Sequence, residues 1–430
     1  MSKKKENRSA ASVWMCGTFL SGSPAGVLQG ITDLVYYAAF LFCFGWTFVR
    51  STTMFSRIMP HEQKEVLNGI YEAAVLAAIA CAAVWVLLQK NIYLAVFEVI
   101  LLTAGYFSWK SGGEQYYLFA MCALIAGAAG RSFRAILHLY LFLGTLLTAC
   151  ALVASQTGII KDLVYPTGRH SFGSVYCTDC AARILFLAMA FLMLRIESMR
   201  LRDYLPLVPG LVLMYFTRAK TNILCCLFMI AGTVLYHLVC RWKGRDVWKI
   251  PAAVLCLSFP AGAALSVGAA LLVNVDDPVL RARLNSIDYT LVKRIELGRR
   301  ALTENPVTLF GTNIHEKGFG GKADNLPGWD KYFFIDSSFI RLLAFGGILL
   351  FLLLLAVLTY AQLRCFASRK YGCVFLLAVL AMVCIMEHHL IEFYYNVFPL
   401  MAFSGSGFFR KRQKGRSATT EEVRQEPPAG

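Results

Sequence analysis

Residues 339–359 read FIRLLAFGGILLFLLLLAVLT, an apolar run broken by one charge, Arg341. A run of this length, wound as a helix, covers the ~30 Å hydrocarbon core of a bilayer. Lipid offers its backbone no hydrogen bonds, so the segment must satisfy its own N–H and C=O groups. Residues 69–88, 135–154 and 250–273 have the same character. Hydrophobic residues make up 57% of the 430-residue chain and charged residues 16%, against roughly 25% charged in a soluble domain. The chain therefore reads as an all-α polytopic membrane protein, not as two or three soluble domains.

Working outward, apolar runs and their breaks predict about twelve transmembrane helices. They fall near 31–49, 69–88, 92–108, 116–130, 135–154, 181–195, 204–217, 222–240, 250–273, 339–359, 371–387 and 393–409. An even number puts both termini on one side. With the N-terminus inside, the inner segments carry 23 Lys and Arg residues, counting Arg195 at the inner end of the sixth span, and the short outer segments 8. The positive-inside rule, which discounts long loops, then makes both termini cytoplasmic. The expected layout is a cytoplasmic segment 1–30, a transmembrane domain 31–409 and a basic, disordered cytoplasmic tail 410–430. Residues 10–30 are rich in Ser, Gly and Pro and make a poor signal-peptide core, so 31–49 is expected to serve as an uncleaved anchor.

The net charge of +16 follows topology and gives no reason to expect nucleic acid as a partner. Of the 14 cysteines, only Cys177 and Cys180 form a C-x-x-C, and no second pair completes a metal site. The long outer loop, 274–338 between the ninth and tenth spans, is the informative insertion. Leu280, Leu284, Ile287, Leu291 and Ile295 recur at helical spacing. Arg281, Arg283, Lys293, Arg294, Arg299 and Arg300 decorate that helix, and a turn-rich stretch with Gly318, Gly320, Gly321 and Pro327 follows.

Ionisable groups near membrane depth point to function. They are Arg169 and His170 before the sixth span, Arg218 and Lys220 between the seventh and eighth, and Asp336 with Arg341 at the tenth. Glu387, His388 and His389 end the eleventh. The two histidines are adjacent, so one helix face cannot present both to a metal. No Walker A lysine, H-E-x-x-H or D-x-D pair occurs, and neither metal nor cofactor is expected. An enzyme of this kind acting on phosphates would neutralise them with arginine forks.

The stretch Arg169-His170-Ser171-Phe172-Gly173 resembles the R-x-S-F/L-G segment of Wzy-type polysaccharide polymerases of capsule, O-antigen and exopolysaccharide systems. Thr217-Arg218-Ala219-Lys220-Thr221 is similar to their S/T-R-x-x-T turn. Arg294 with Asn305-Pro306-Val307-Thr308-Leu309-Phe310-Gly311 resembles the arginine and P-x-x-L/F-G segment of their outer loop. Asp336-Ser337-Ser338-Phe339 resembles their D-N/S-S-Y/F, and Glu387-His388-His389 with Asn396 to Pro399 their final pattern. The chain departs from these patterns in lacking the Pro expected soon after Gly173 and in separating Asn396 from Pro399. O-antigen ligases, which are related, usually carry His where this chain has Asp336.

The resemblance implies a glycosyltransferase of the cytoplasmic membrane that joins undecaprenyl-diphosphate-linked oligosaccharide repeats on the outer face, without metal. Arg169, Arg218 and Arg294 would bind the diphosphate, with Ser171 and Arg341 as further substrate contacts. Asp336 would act as base, with Glu387 or His388 as second candidates. A flippase and a chain-length regulator are the implied partners. A flippase or other transporter is the competing reading of the chain itself, and the absence of internal repeats and of clearly interrupted helices speaks against it.

Overall fold

A computed structural model describes residues 24–113, 115–166, 168–272, 282, 283, 286, 288, 293–323, 328 and 331–409. The N-terminal segment to residue 23 and the tail from 410 lie outside the described residues. So do Leu280, Leu284, Ile287 and Leu291 of the expected amphipathic helix, together with Arg281 and Pro327.

The apolar runs form helices, and polar or glycine-rich breaks end them. They are α1 (Pro24–Arg50), α2 (Thr53–Arg57), α3 (His61–Gln89), α4 (Ile92–Ser111), α5 (Tyr116–Gly127) and α6 (Phe133–Gln156). A two-residue hairpin, β1 (Val164–Tyr165) and β2 (Arg169–His170), precedes α7 (Cys177–Arg195). Then come α8 (Val208–Thr217), α9 (Lys220–Lys243), α10 (Lys249–Leu255), α11 (Ser258–Leu272), α12 (Arg294–Thr303), α13 (Ser338–Ala367) and α14 (Tyr371–Met386). Caps mark the turns: Asn91 accepts from Leu94 N–H at the start of α4, and Ser132 from Ala135 N–H at the start of α6.

Eight helical stretches among the described residues are long and apolar enough to cross a membrane, and α5 and α14 are shorter apolar helices beside them. Their outward faces carry Leu87, Phe142, Leu224, Val254 and Leu352, all exposed. So much uncovered apolar surface suits lipid rather than water. The protein is therefore a multi-pass, all-α membrane protein.

Three expected spans change character. Residues 204–217 divide into a 3-10 stretch, Leu201–Leu207, and α8. Residues 250–273 break at Cys256 and Leu257, between α10 and α11. Pro260 follows four residues after Cys256 and has no N–H to offer its carbonyl, so the ladder of a continuous helix lapses there. The expected helix at 393–409 does not form: short 3-10 turns, Phe398–Met401 and Ser406–Phe408, stand in its place. Pro399 lacks a donor, and Gly405 and Gly407 weaken helix. Irregular backbone is tolerated beside lipid only when protein satisfies it. Here Arg364 Nη1 donates to the carbonyls of Met401 (2.9 Å) and Ala402 (2.7 Å), and Gly405 N–H to Arg131 O (2.7 Å).

The opening stretch holds the sharpest departure. Gly347 adopts φ 77° and interrupts α13, whereas a continuous helix was expected. Residues 308–312 fill the break. Ile348 N–H donates to Thr308 O (3.0 Å), Leu349 N–H to Leu309 O (3.1 Å) and Thr312 N–H to Ala344 O (2.9 Å). Gly311 is required at this seam, since its φ is 87° and a Cβ there would collide with Phe345 O. Residues 308–312 are thus stitched into α13.

Gly311→Ala is expected to cost about 2 kcal/mol or more, read as a lower thermal midpoint in detergent. Gly69→Ala, in α3 with open space around the new Cβ, is expected to be neutral or slightly stabilising. Equal midpoints for the two variants would contradict the seam.

Candidate functional site

The start of α13, the end of α14, the N-terminus of α12 and the β-hairpin meet at one end of the bundle. Ser338, in the first turn of α13, donates its hydroxyl hydrogen to Glu387 O and accepts from Leu390 N–H at 3.1 Å. That contact turns the chain out of α14, and Glu387 takes an extended conformation.

Three of the expected site residues then converge. Arg294 Nε donates to Asp336 Oδ2 at 3.1 Å, and Arg294 Nη2 stands 3.7 Å from Glu387 Oε1. Asp336 precedes α13, where the helix dipole favours a negative charge. Burial pushes its carboxyl above the ordinary range, against the pull of Arg294. Arg294, expected at the diphosphate, thus already pairs with two carboxylates of the protein.

His388 and His389 follow in the same turn, their ring centroids 4.0 Å apart. His389 Nδ1 lies 2.9 Å from Glu392 Oε2, and His388 Nε2 lies 3.9 Å from Glu392 Oε1. Burial lowers the His388 pKa, helped by His389, Arg341 and Arg294. Burial would also lower His389, but its hydrogen bond to Glu392 and the nearby carboxylates outweigh that and raise it. The adjacency argument against a shared metal applied to a helix, which ends at Met386. One ligand atom each from Glu387, His388 and His389 lies within 4.8 Å of the others, so these residues can approach a common cation.

Arg341 lies deeper, between Phe334 and Phe345. Its Nη1 bonds Glu316 Oε1 at 2.7 Å, and Glu316 also accepts from Ile335 N–H at 2.8 Å. Its guanidinium therefore pins the segment around Glu316 onto α13. Ser171 likewise has a structural duty. Its hydroxyl accepts from Leu163 N–H at 2.9 Å, while Asp162 Oδ1 receives Ser171 N–H (3.0 Å) and Phe172 N–H (2.8 Å). Asp162 also holds His170 at 2.6 Å and so organises the whole hairpin.

Arg169 and Arg218 form a second group. Arg169 Nε donates to Thr217 O at 3.3 Å, and its guanidinium lies over the Tyr176 ring at 5.6 Å. Arg218 occupies the next position, with φ 51° after α8. It is exposed beside Gly168, and its side chain has no hydrogen-bond or ion-pair partner among the described residues. Tyr332 lies close enough to Tyr176 on one side, and to Asp336 and Arg294 on the other, to feel their charge.

Sequence reasoning missed Asp162, Glu316, Glu392 and Tyr332. Glu392, four residues after His388, could have been found by spacing; the others owe their importance to contacts distant in sequence. Cys177 and Cys180 are buried and free, in keeping with packing. No family model, curated protein or solved structure matches the chain.

Arg294→Ala is expected to destabilise the fold by about 3–5 kcal/mol, because it strands two buried carboxylates. Adding Asp336→Asn should recover part of that loss, and strictly additive midpoints in the double variant would contradict the pairing.

Proposed function

We propose that the protein polymerises oligosaccharide repeats carried on undecaprenyl diphosphate, at the outer face of the cytoplasmic membrane. One observation carries the reading: an exposed, unpartnered Arg218 stands beside Arg169, and Tyr176 and Tyr332 lie between this pair and a half-buried Asp336. The leaving group of such a reaction is a lipid diphosphate that gains charge as its anomeric bond breaks. Preorganised guanidiniums aimed at that charge are the physical requirement, and Arg169 and Arg218 have their forks free or nearly so.

In the proposed reaction the acceptor hydroxyl oxygen bonds to the anomeric carbon of the donor chain. The bond from that carbon to the diphosphate oxygen breaks, and the hydroxyl proton passes to the Asp336 carboxylate. Arg294 is a positioning residue that orients Asp336, and Glu387 shares the task. The docked outer loop covers the sugars, and the seam at Gly347 holds that cover in place.

The topology belongs to the same proposal. The apolar helices, the split segments at 201–217 and 249–272 and the irregular return from 387 to 409 together support twelve crossings. The distribution of Lys and Arg supports cytoplasmic termini. A flippase and a chain-length regulator are the partners that the reaction calls for.

One observation favours a second reading, transport: α13 is interrupted at Gly347, and broken helices are common at transporter binding sites. The expectation of uninterrupted helices therefore no longer argues against it. Here, however, the break is filled by the protein's own residues 308–312.

Arg169→Ala and Arg218→Ala are each expected to cut polymer formation by about 100-fold or more at normal protein level. Arg218 is the cleaner test, since nothing structural depends on its side chain. Polymer of normal length and yield from both variants would overturn their role. Deletion of the gene should leave single lipid-linked repeats on the outer face, whereas retention inside would favour transport.

A further inference from the structure

The geometry points to a binding site for one divalent transition-metal ion, with zinc the best fit, formed by Glu387, His388 and His389. Glu387 and His389 are 3% and 1% exposed. Glu387 Oε1, His388 Nδ1 and His389 Nε2 have no hydrogen-bond partner among the described residues. Unmet hydrogen-bonding capacity so deeply buried is costly. Among the described residues Glu387 Oε1 has only its 3.7 Å ion pair to Arg294, and one ligand atom of each of the three residues lies within 4.8 Å of the others, so a single cation could serve all three.

The surroundings match a metal centre in two further respects. Glu392 engages His389 through Nδ1, which leaves Nε2 as the free nitrogen. A carboxylate behind a ligating imidazole is the usual support for a zinc ligand, because it fixes ring orientation and raises basicity. Charge is the second. Glu387 lies near two further carboxylates, Asp336 and Asp179, whose negative charge opposes its own, and a cation between the ligands would relieve that repulsion.

Two imidazoles and one carboxylate favour zinc over calcium or magnesium, which prefer all-oxygen shells. The same set leaves a fourth position open for water or a hydroxyl. The cation would also tie the 387–392 turn to the end of α14, directly beside Arg294. This site stands independently of the polymerase reading.

The test uses the full chain, purified in detergent, stripped with a chelator and titrated with zinc chloride or cobalt chloride. The expected result is about one metal per chain by elemental analysis and a visible cobalt spectrum of nitrogen and oxygen ligands. His388→Ala and His389→Ala should lose both signals, and Glu392→Gln should weaken binding about 10–100-fold. Thermal midpoints identify any variant that fails to fold; His388→Gln, which keeps bulk at the partly exposed position, then replaces it. Absence of stoichiometric metal in the wild type would overturn the site. So would equal metal content in folded His388 variants, or a cobalt–thiolate band assigning the metal to cysteines. A chain that polymerises without binding zinc refutes only the cation, and one that binds zinc without polymerising refutes only the polymerase.

Discussion

The backbone of α13 cannot be left open at Gly347. Inside a membrane protein each exposed peptide group must find a partner, and lipid supplies none. The break therefore requires a second segment, and residues 308–312 provide it with their own backbone. This single constraint ties the segment before α13 to the tenth expected span. It also fixes the approach of Arg341 to Glu316 and, one turn earlier, the place of Asp336 relative to Arg294.

Charge at this end of the bundle is divided between two tasks. Arg294, Arg341 and Arg183 are committed within the protein: Arg294 to carboxylates, Arg341 to Glu316, and Arg183 to Ser174 Oγ at 3.0 Å and Ser51 O at 2.9 Å. Arg218 is exposed, and Arg169 is half-buried beside it, with only Thr217 O and the Tyr176 ring as partners among the described residues. A buried guanidinium with its partners met organises the site, whereas an exposed one can still meet an anion. That division, rather than the number of arginines, is what makes a diphosphate subsite at Arg169 and Arg218 the favoured reading.

Much of the fold was legible, because hydropathy reports directly on what lipid tolerates. Helices such as α3, α6 and α9 fall close to the runs that predicted them. Hydropathy says nothing about φ, so Gly346-Gly347 passed as ordinary members of a span, and 393–409 passed as a helix despite Pro399 and Gly405. The site was legible in part. Asp336, Glu387 and Arg294 were named from the sequence and are joined in space, yet their mutual pairing was not foreseen, since Arg294 and Asp336 lie 42 residues apart. The internal partners of Ser171 and Arg341, Leu163 N–H and Glu316, were not foreseen, because residue type alone does not reveal a contact distant in sequence.

Reconstitution tests the central claim most directly. The purified chain is placed in liposomes with lipid-linked repeats as the sole glycan, and both product length and released lipid diphosphate are followed. A ladder of longer glycans, with one lipid diphosphate released for each repeat joined, is the result the account predicts. Repeats that cross the bilayer unchanged in length, with no lipid diphosphate released, would contradict it.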